Sequence, residues 1–323
     1  MAKKKNKQQR QASAQADGIK TQPCKRMPRG LKKPSETGEE RFLLERLLGA
    51  GGVCEVHAAL DLRRVEMGDA NPRVAIKRLR SEFADNAQAN LALAQEFCVL
   101  RHLAHPGVVR VFDLHREPFG LCCSMELLAG QTMLEKLHDS PAGFGSAVLP
   151  FGRELFNVLS FLHALGIVHG DIKPSNVFMA SEGRTVLVDF NVAKATALAG
   201  AACSPVTTGL REHLHLPSYS LRYASPERLR GGSPSLADDI FAACCTVCEA
   251  AGGRHPFGQR SALEAVETGT LPEKPAAMPS RQWRIVRRGL GFEPCGRPSA
   301  EELLQAFSPV EGLWAVLKRC LSC

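Results

Sequence analysis

Apolar positions along the chain change their spacing several times, and each change marks an element. Between Asn90 and Leu103, the residues Leu93, Phe97, Leu100 and Leu103 recur every third or fourth position, which places them on one face of a helix. Upstream, Val74-Ala75-Ile76-Lys77 is a short apolar run that ends in a cation and reads as a strand. The segment Leu48-Gly-Ala-Gly-Gly-Val-Cys-Glu-Val56 breaks its apolar positions with glycines and reads as a hairpin. Cys122 and Cys123 lie in a further apolar strand. Arg64 to Asn71, rich in charge and glycine, reads as the turn before Val74, and Gly183 marks a turn within Met179 to Thr185. Val310 to Leu321 reads as a short amphipathic helix carrying Trp314.

Composition narrows the class. The chain has 323 residues, 44% of them hydrophobic and 23% charged, which suits a globular protein with a full core. No apolar run reaches about eighteen residues, the length that a spanning helix needs. Met1-Ala-Lys-Lys-Lys-Asn6 lacks the apolar stretch of a secretory signal. A cytoplasmic location is the expectation.

Charge is unevenly placed. Residues 1–33 hold eleven Lys or Arg and a single acid, Asp17, a surplus greater than the net +8 of the whole chain. The remainder is therefore slightly acidic. A tail this poor in large apolar side chains cannot offset its ordering entropy, so residues 1–38 are expected to be a disordered basic tail. It lacks the interleaved aromatics that stack on bases, and no nucleic-acid partner is required.

Twelve cysteines raise the question of disulfides or zinc. Cys244, Cys245 and Cys248 fall in an apolar helical stretch, where a thiol serves as a small apolar side chain. Cys245-Thr-Val-Cys248 and Cys320-Leu-Ser-Cys323 have zinc-like spacing, but no nearby His pair completes a site. The pattern suits a reducing compartment. Cys54, in the glycine-rich segment, is expected at the tip of its hairpin and more accessible than the others.

Candidate chemistry concentrates in His169-Gly-Asp-Ile-Lys-Pro-Ser-Asn176, followed by Val188-Asp-Phe-Asn191. Asp171 and Asn176 have a D-x-x-x-x-N spacing, and Asp189 follows after the Gly183 turn. Phosphoryl transfer needs a carboxylate to orient the attacking hydroxyl and oxygen ligands for a metal that bridges phosphates. Asp171 suits the first role, and Asn176 and Asp189 the second. Magnesium favours such hard oxygen donors. Gly49 and Gly51 let backbone approach anionic oxygens. Lys77 can reach the phosphates, and Glu96, on the predicted helix, can hold Lys77 in place.

With these motifs in this order, the chain resembles a eukaryotic-type (Hanks-type) serine/threonine protein kinase over roughly residues 41–307, in wording closer to bacterial members. The resemblance implies an α+β, two-lobed kinase fold. A small antiparallel sheet with one helix would span 41–127, a hinge about 128–130, and a mostly helical lobe 131–308, within a kinase domain of 39–308. Residues 309–323 would form a short C-terminal helix or tail. It further implies that Lys77 binds ATP, that Asp171 is the catalytic base and that Lys173 contacts the γ-phosphate. Asn176 and Asp189 would hold Mg2+, with Mn2+ the other candidate ion. Val56, Ala75 and Phe178 would sandwich the purine, and Glu126 and Leu128 would present hinge-strand backbone to it, beside Met125 as gatekeeper.

The same resemblance pairs Glu227 of Tyr223-Ala-Ser-Pro-Glu227 with Arg297, anchors the catalytic loop on Asp239, and stacks Leu100, Val111, His169 and Phe190 in one column. Ser220 with Lys173 points to serine or threonine acceptors. The implied partners are protein substrates and, by likeness to compact bacterial members, a cognate phosphatase. Ser175 stands where arginine-directed relatives carry Glu.

Two other readings stay open at this point. Small-molecule phosphotransferases share the His-Gly-Asp wording, but typically lack Lys173, Pro226-Glu227 and Arg297. A catalytically weak pseudokinase is the other: Cys54, Gly170 and Asn191 replace a glycine, an arginine and a glycine of the family pattern. Between Asp189 and Glu227 lies a long segment with Thr196, Ser204, Thr207, Thr208 and Ser218 as candidate phosphorylation sites.

Overall fold

The computed structural model describes residues 41–190, 194–195 and 221–309. The basic tail, Asn191, the candidate phosphorylation sites, Arg211, Ser220 and the expected C-terminal helix lie outside the described residues.

The first half of the chain builds a five-stranded antiparallel sheet. Its strands are β1 (Phe42–Ala50), β2 (Cys54–Asp61), β3 (Arg73–Leu79), β4 (Val111–Glu117) and β5 (Gly120–Met125), in the order β1-β2-β3-β5-β4. Between β2 and β3 the chain forms a short helix, α1 (Leu62–Glu66), where sequence had predicted only a turn starting at Arg64. The reason is local: the Asp61 carboxylate accepts the Arg63 N–H and caps the helix, and Arg63 and Arg64 complement its C-terminal end. Asp61 itself is buried and takes a bidentate pair from Arg41.

The predicted amphipathic helix is present as α2 (Ala87–Leu100), capped by the Asn86 side chain. Leu93, Phe97 and Leu100 are buried along it, and so is Glu96. Leu93 and Phe97 pack on Leu79 and Cys123 of the sheet.

The second half is mostly helical. A three-stranded sheet of β6 (Gly130–Thr132), β8 (Val177–Ala180) and β9 (Thr185–Leu187) covers its top, in the order β6-β8-β9. Below lie α3 (Met133–Asp139), α4 (Val148–Ala164), α5 (Pro226–Leu229), α6 (Leu236–Gly252), α7 (Ala262–Glu267), α8 (Ser280–Gly289) and α9 (Ala300–Phe307). Strand β7 (Ile167–Val168) pairs with β10 (Lys194–Ala195). One continuous core joins α4, α6, α8 and α9. Close approach has sequence causes: a Cβ on Gly152 of α4 would lie 2.5 Å from the Phe307 ring of α9.

Helix α6 is buried almost all round, which makes it the spine of this half. Cys244, Cys245 and Cys248 lie within it, fully buried, with their thiols pushed up by burial. Glu227 and Arg297 form the expected fork–fork pair, at 2.5 and 2.9 Å. The Arg297 side chain is 1% exposed and also donates to the carbonyls of Ala237 and Gly291.

Candidate active site

Two halves meet at a cleft between the sheet and the helical half. On the sheet side, Lys77 of β3 lies opposite Val56 of β2 and Cys123 of β5. Its ammonium donates to both Glu96 oxygens at 2.7 Å and to Asp189 Oδ1 at 2.8 Å. Glu96 Oε1 also accepts the Phe190 N–H at 2.9 Å. One ammonium thus ties together β3, α2 and the segment that follows β9. Burial alone would lower the Lys77 pKa. The charges of Asp189 and Glu96 outweigh it, so the net direction is up and the amine stays protonated.

The glycine-rich hairpin closes with Gly51 N–H on the Cys54 carbonyl at 2.7 Å. Neither Gly49 nor Gly51 has a positive φ, so backbone conformation does not demand glycine there. A Cβ on Gly49 would meet nothing within 4 Å. Open space above the backbone is what these glycines provide. The tip is Gly51-Gly52, not Cys54: that residue opens β2, is half-buried, and packs with Val53 onto the cluster of Leu79, Leu93 and Phe97. The exposed thiols among the described residues are Cys98 and Cys295. Burial pushes those of Cys122 and Cys123 up to about 12.

On the other side, the loop after β7 is held by α6. Both Asp239 oxygens accept backbone N–H groups, from His169 and Gly170, each at 2.8 Å. The helix N-cap is Ser235, with a capping box to Asp238, so Asp239 is free for the loop. Gly170 sits at φ +80, a conformation that a side chain would strain. The next residue presents the Asp171 carboxylate, whose Oδ2 accepts from Lys173 Nζ at 2.7 Å and Asn176 Nδ2 at 3.2 Å. Asn176 Nδ2 also donates to the Asp171 carbonyl at 2.9 Å. That amide orientation leaves Oδ1 as the acceptor end.

Asp189 is the only non-glycine with positive φ among the described residues, at +65. Its side chain is 37% exposed and points back to Lys77. His169 is buried against Phe190, with ring centroids 4.6 Å apart, and its Nε2 lies 3.2 Å from the Val188 carbonyl. Leu100 is buried in the same core and Val111 packs against it.

At the back of the cleft, Ala75 of β3 lies opposite both Ala58 and Met125, and it is buried. Phe178 of β8 is half-buried and packs against the large core, as do Met125 and Leu128. Glu126 and Leu128 were expected on a strand, but β5 ends at Met125. The Glu126 N–H bonds the Arg110 carbonyl at 2.9 Å, and pairing stops there. Among the described residues the Glu126 carbonyl and the Leu128 N–H have no backbone hydrogen-bond partner.

Three side chains near the site were not singled out by sequence. His163 Nε2 lies 3.1 Å from Asp239 Oδ2. Asp238 accepts from Ser225 and Ser235, and burial pushes its carboxyl above the usual range. Arg184, in the turn before β9, reaches Glu126 and the Pro106 carbonyl. Only the neighbour of Asp239 carried any local signal.

The assembled set is a phosphoryl-transfer set: a protonated lysine, a glycine hairpin with free space, a held carboxylate, and oxygen donors for a cation. Comparison with known proteins agrees. The serine/threonine-protein kinase PkaA of Streptomyces coelicolor is 32% identical over 284 residues, 84% of this chain and 50% of that protein. The serine/threonine-protein kinase PknB of Mycobacterium tuberculosis is 28% identical over 222 residues, 68% of this chain and 33% of that protein. PrkC of Bacillus subtilis is 27% identical over 272 residues, 82% and 40%. The chain spans half or less of the length of these relatives. The profile described as protein kinase domain matches residues 42–307, from the first strand of the sheet to the last residue of α9. The chain belongs to the protein kinase family.

Proposed function

We propose that this protein is a serine/threonine protein kinase. It transfers the γ-phosphoryl group of ATP to Ser or Thr hydroxyls of proteins, its own included. The observation that carries this reading is the single ammonium of Lys77 shared by Glu96 and Asp189, together with an Asp171 held by Lys173 and Asn176. A small-molecule phosphotransferase would not need the Glu227–Arg297 pair that buttresses α5 below the acceptor side.

The residues fit a nucleotide with a divalent ion. Asn176 Oδ1 and the Asp189 carboxylate are hard oxygen donors, and the Asn176 amide is oriented by its bond to the Asp171 carbonyl. These two would hold Mg2+, which when bound neutralises charge on the transferring phosphoryl group. Gly49 and Gly51 cover the phosphates. Lys77 orients them, itself oriented by Glu96. Val56, Ala75 and Phe178 enclose the purine, whose edge meets the Glu126 carbonyl and Leu128 N–H.

Asp171 orients the acceptor hydroxyl and receives its proton. Lys173, already on Asp171 Oδ2, stabilises the phosphoryl oxygens as charge shifts towards them. Substrates are Ser/Thr proteins, and a cognate phosphatase is the natural counter-enzyme. No helix among the described residues is long and apolar enough to cross a membrane.

The test is incubation with radiolabelled Mg-ATP and a generic protein acceptor, with Asp171→Asn as control. Phosphoserine or phosphothreonine on acceptor or enzyme is expected. Dominant phosphotyrosine, label on an aminoglycoside or choline alone, or no transfer with no Mg-ATP thermal shift would overturn the reading.

A further inference from the structure

The two halves of the molecule are joined by more than the segment after β5. Residues 107–109 form a second tether. The Leu187 N–H donates to the Gly107 carbonyl at 2.8 Å, the Val109 N–H donates to the Leu187 carbonyl at 3.3 Å, and Val108 bridges Leu187 in parallel. The chain from α2 to β4 is thereby stitched onto β9, the strand that leads directly to Asp189.

One side chain touches both tethers. Arg184 Nη1 donates to the Pro106 carbonyl at 2.7 Å, at the start of the second tether. Its Nη2 lies 3.5 Å from Glu126 Oε2, the first residue after β5. Its Nε is fixed on Glu182 at 2.7 Å within the same turn. Glu126 in turn accepts the Arg110 N–H on its other oxygen at 2.9 Å, while its own N–H binds the Arg110 carbonyl. The guanidinium fork, planar and rigid, spans acceptors that a single-point cation could not reach together.

We infer that Arg184 is a positioning residue for the adenine base. It fixes the Glu126 peptide, and so the carbonyl and the following Leu128 N–H that meet the purine edge, relative to β9 and Asp189. This rests on the kinase reading above and adds a determinant of nucleotide affinity outside the cleft. The base does not react, so an interaction that only places it contributes equally to ground and transition states. Loss of the clamp raises KM for ATP and leaves kcat nearly unchanged. It also weakens ligands that carry the base and spares ligands that carry only phosphates.

Titration calorimetry of the full chain with Mg-ADP and with Mg-tripolyphosphate reads this directly, alongside steady-state kinetics. Arg184→Ala should weaken ADP by about fivefold or more and raise KM for ATP to match, with kcat and tripolyphosphate affinity within about twofold. Arg184→Lys, which reaches one tether but not both, should fall between. Glu126→Gln keeps the acceptor for Arg110 and tests the same contact where Arg184→Ala fails to fold. The double variant should be no weaker than the worse single one. ADP affinity within twofold of wild type in both single variants would overturn the inference, as would equal loss for tripolyphosphate, the mark of a merely structural role. A wild-type protein that binds neither ligand would instead overturn the kinase reading itself.

Discussion

The two halves of this molecule hold their functional side chains by different means. In the helical half, Asp171 stands on a loop whose backbone is bonded to Asp239, on a helix buried nearly all round, next to the buried Glu227–Arg297 pair. One continuous apolar core lies beneath. In the sheet half, the apolar residues divide into two small clusters. Strand β1 is exposed along most of its length and carries two irregularities in its register with β2. Lys77 in this half is held by ion pairs, to Glu96 of α2 and to Asp189 after β9, rather than by a large core beneath it. The groups that must not move are built into the large core. The glycine hairpin, by contrast, follows a strand exposed along most of its length, the mark of low local stability.

The largest effect should come from the buried fork. Removing one member of a buried pair strands a charge and costs about 3–5 kcal/mol. Arg297→Ala should therefore lower the stability of the whole domain towards the low end of that range in denaturant melts, since it strips the Ala237 and Gly291 carbonyls of a 1% exposed donor but leaves Glu227, 25% exposed, in reach of water. Arg41→Ala, which strands Asp61 in the sheet half, should cost less, because the backbone N–H of Arg63 still caps that carboxylate. Equal losses in the two variants would break the comparison.

Next comes the chemistry. Asp171→Asn and Asp189→Ala should each lower phosphoryl transfer by about a hundredfold or more, near 3 kcal/mol, at an unchanged melting temperature. Lys77→Ala should match that loss and also destabilise the sheet half, because Glu96 is buried and would lose its cation. Lys77 differs from the other two because its side chain and that of Glu96 are both buried. An unshifted melting curve for Lys77→Ala would show that the sheet half tolerates the stranded carboxylate.

A smaller effect is set by pH. His255, just beyond α6, is buried and held neutral, its pKa pushed down to about 3 from 6.5 by desolvation and then by the Arg222 charge. The unfolded chain takes up a proton near pH 6.5 that the native state refuses. This contribution is complete above that pH and is lost as pH falls towards 3. Between pH 7 and 5 it amounts to about 2 kcal/mol. Chemical melts of His255→Asn should be flatter over that range by a similar amount. His115 in the sheet half is less deeply desolvated, with the same downward direction, so His115→Asn should flatten the profile less. The reverse order would contradict the contrast drawn between the two cores.

The smallest expected change is that on dephosphorylation. Gly170 has no side chain to receive a phosphate, and Arg222, the nearby described arginine, lies 3.8 Å from Glu249. Enzyme treated with a phosphatase should keep its activity within about threefold, under 1 kcal/mol in barrier terms. A tenfold drop restored by autophosphorylation would show that another cation orders the segment between Asp189 and Glu227.

Legibility in the sequence followed the range of each interaction. Helix α2 was readable because its apolar period is a local property, and the spacing of Asp171, Asn176 and Asp189 because one loop and one hairpin connect them. Helix α1 was missed because charged residues and a glycine look like a turn unless the capping by Asp61 is weighed. Cys54 was placed at a tip because a hairpin's faces are not visible until its register with Leu79 is known. Arg184 left no trace, since its partners Pro106 and Glu126 approach it only through the stacking of β9 under the segment after α2.

That stacking has a mechanical side. A body fastened to another at one point can swing in any direction. Fastened at two, it can only turn about the line through them. With residues 107–109 and Glu126 as two pins, and the Lys77–Asp189 and Glu96–Phe190 contacts released, the sheet half would be left a door-like motion. On that line Glu126 and Leu187 would barely travel, whereas Gly51, between β1 and β2 at the opposite edge of the sheet, would sweep a wider arc. The same small turn would lift the glycine hairpin clear of the phosphates while the adenine edge stays seated, so a spent nucleotide would leave phosphate end first.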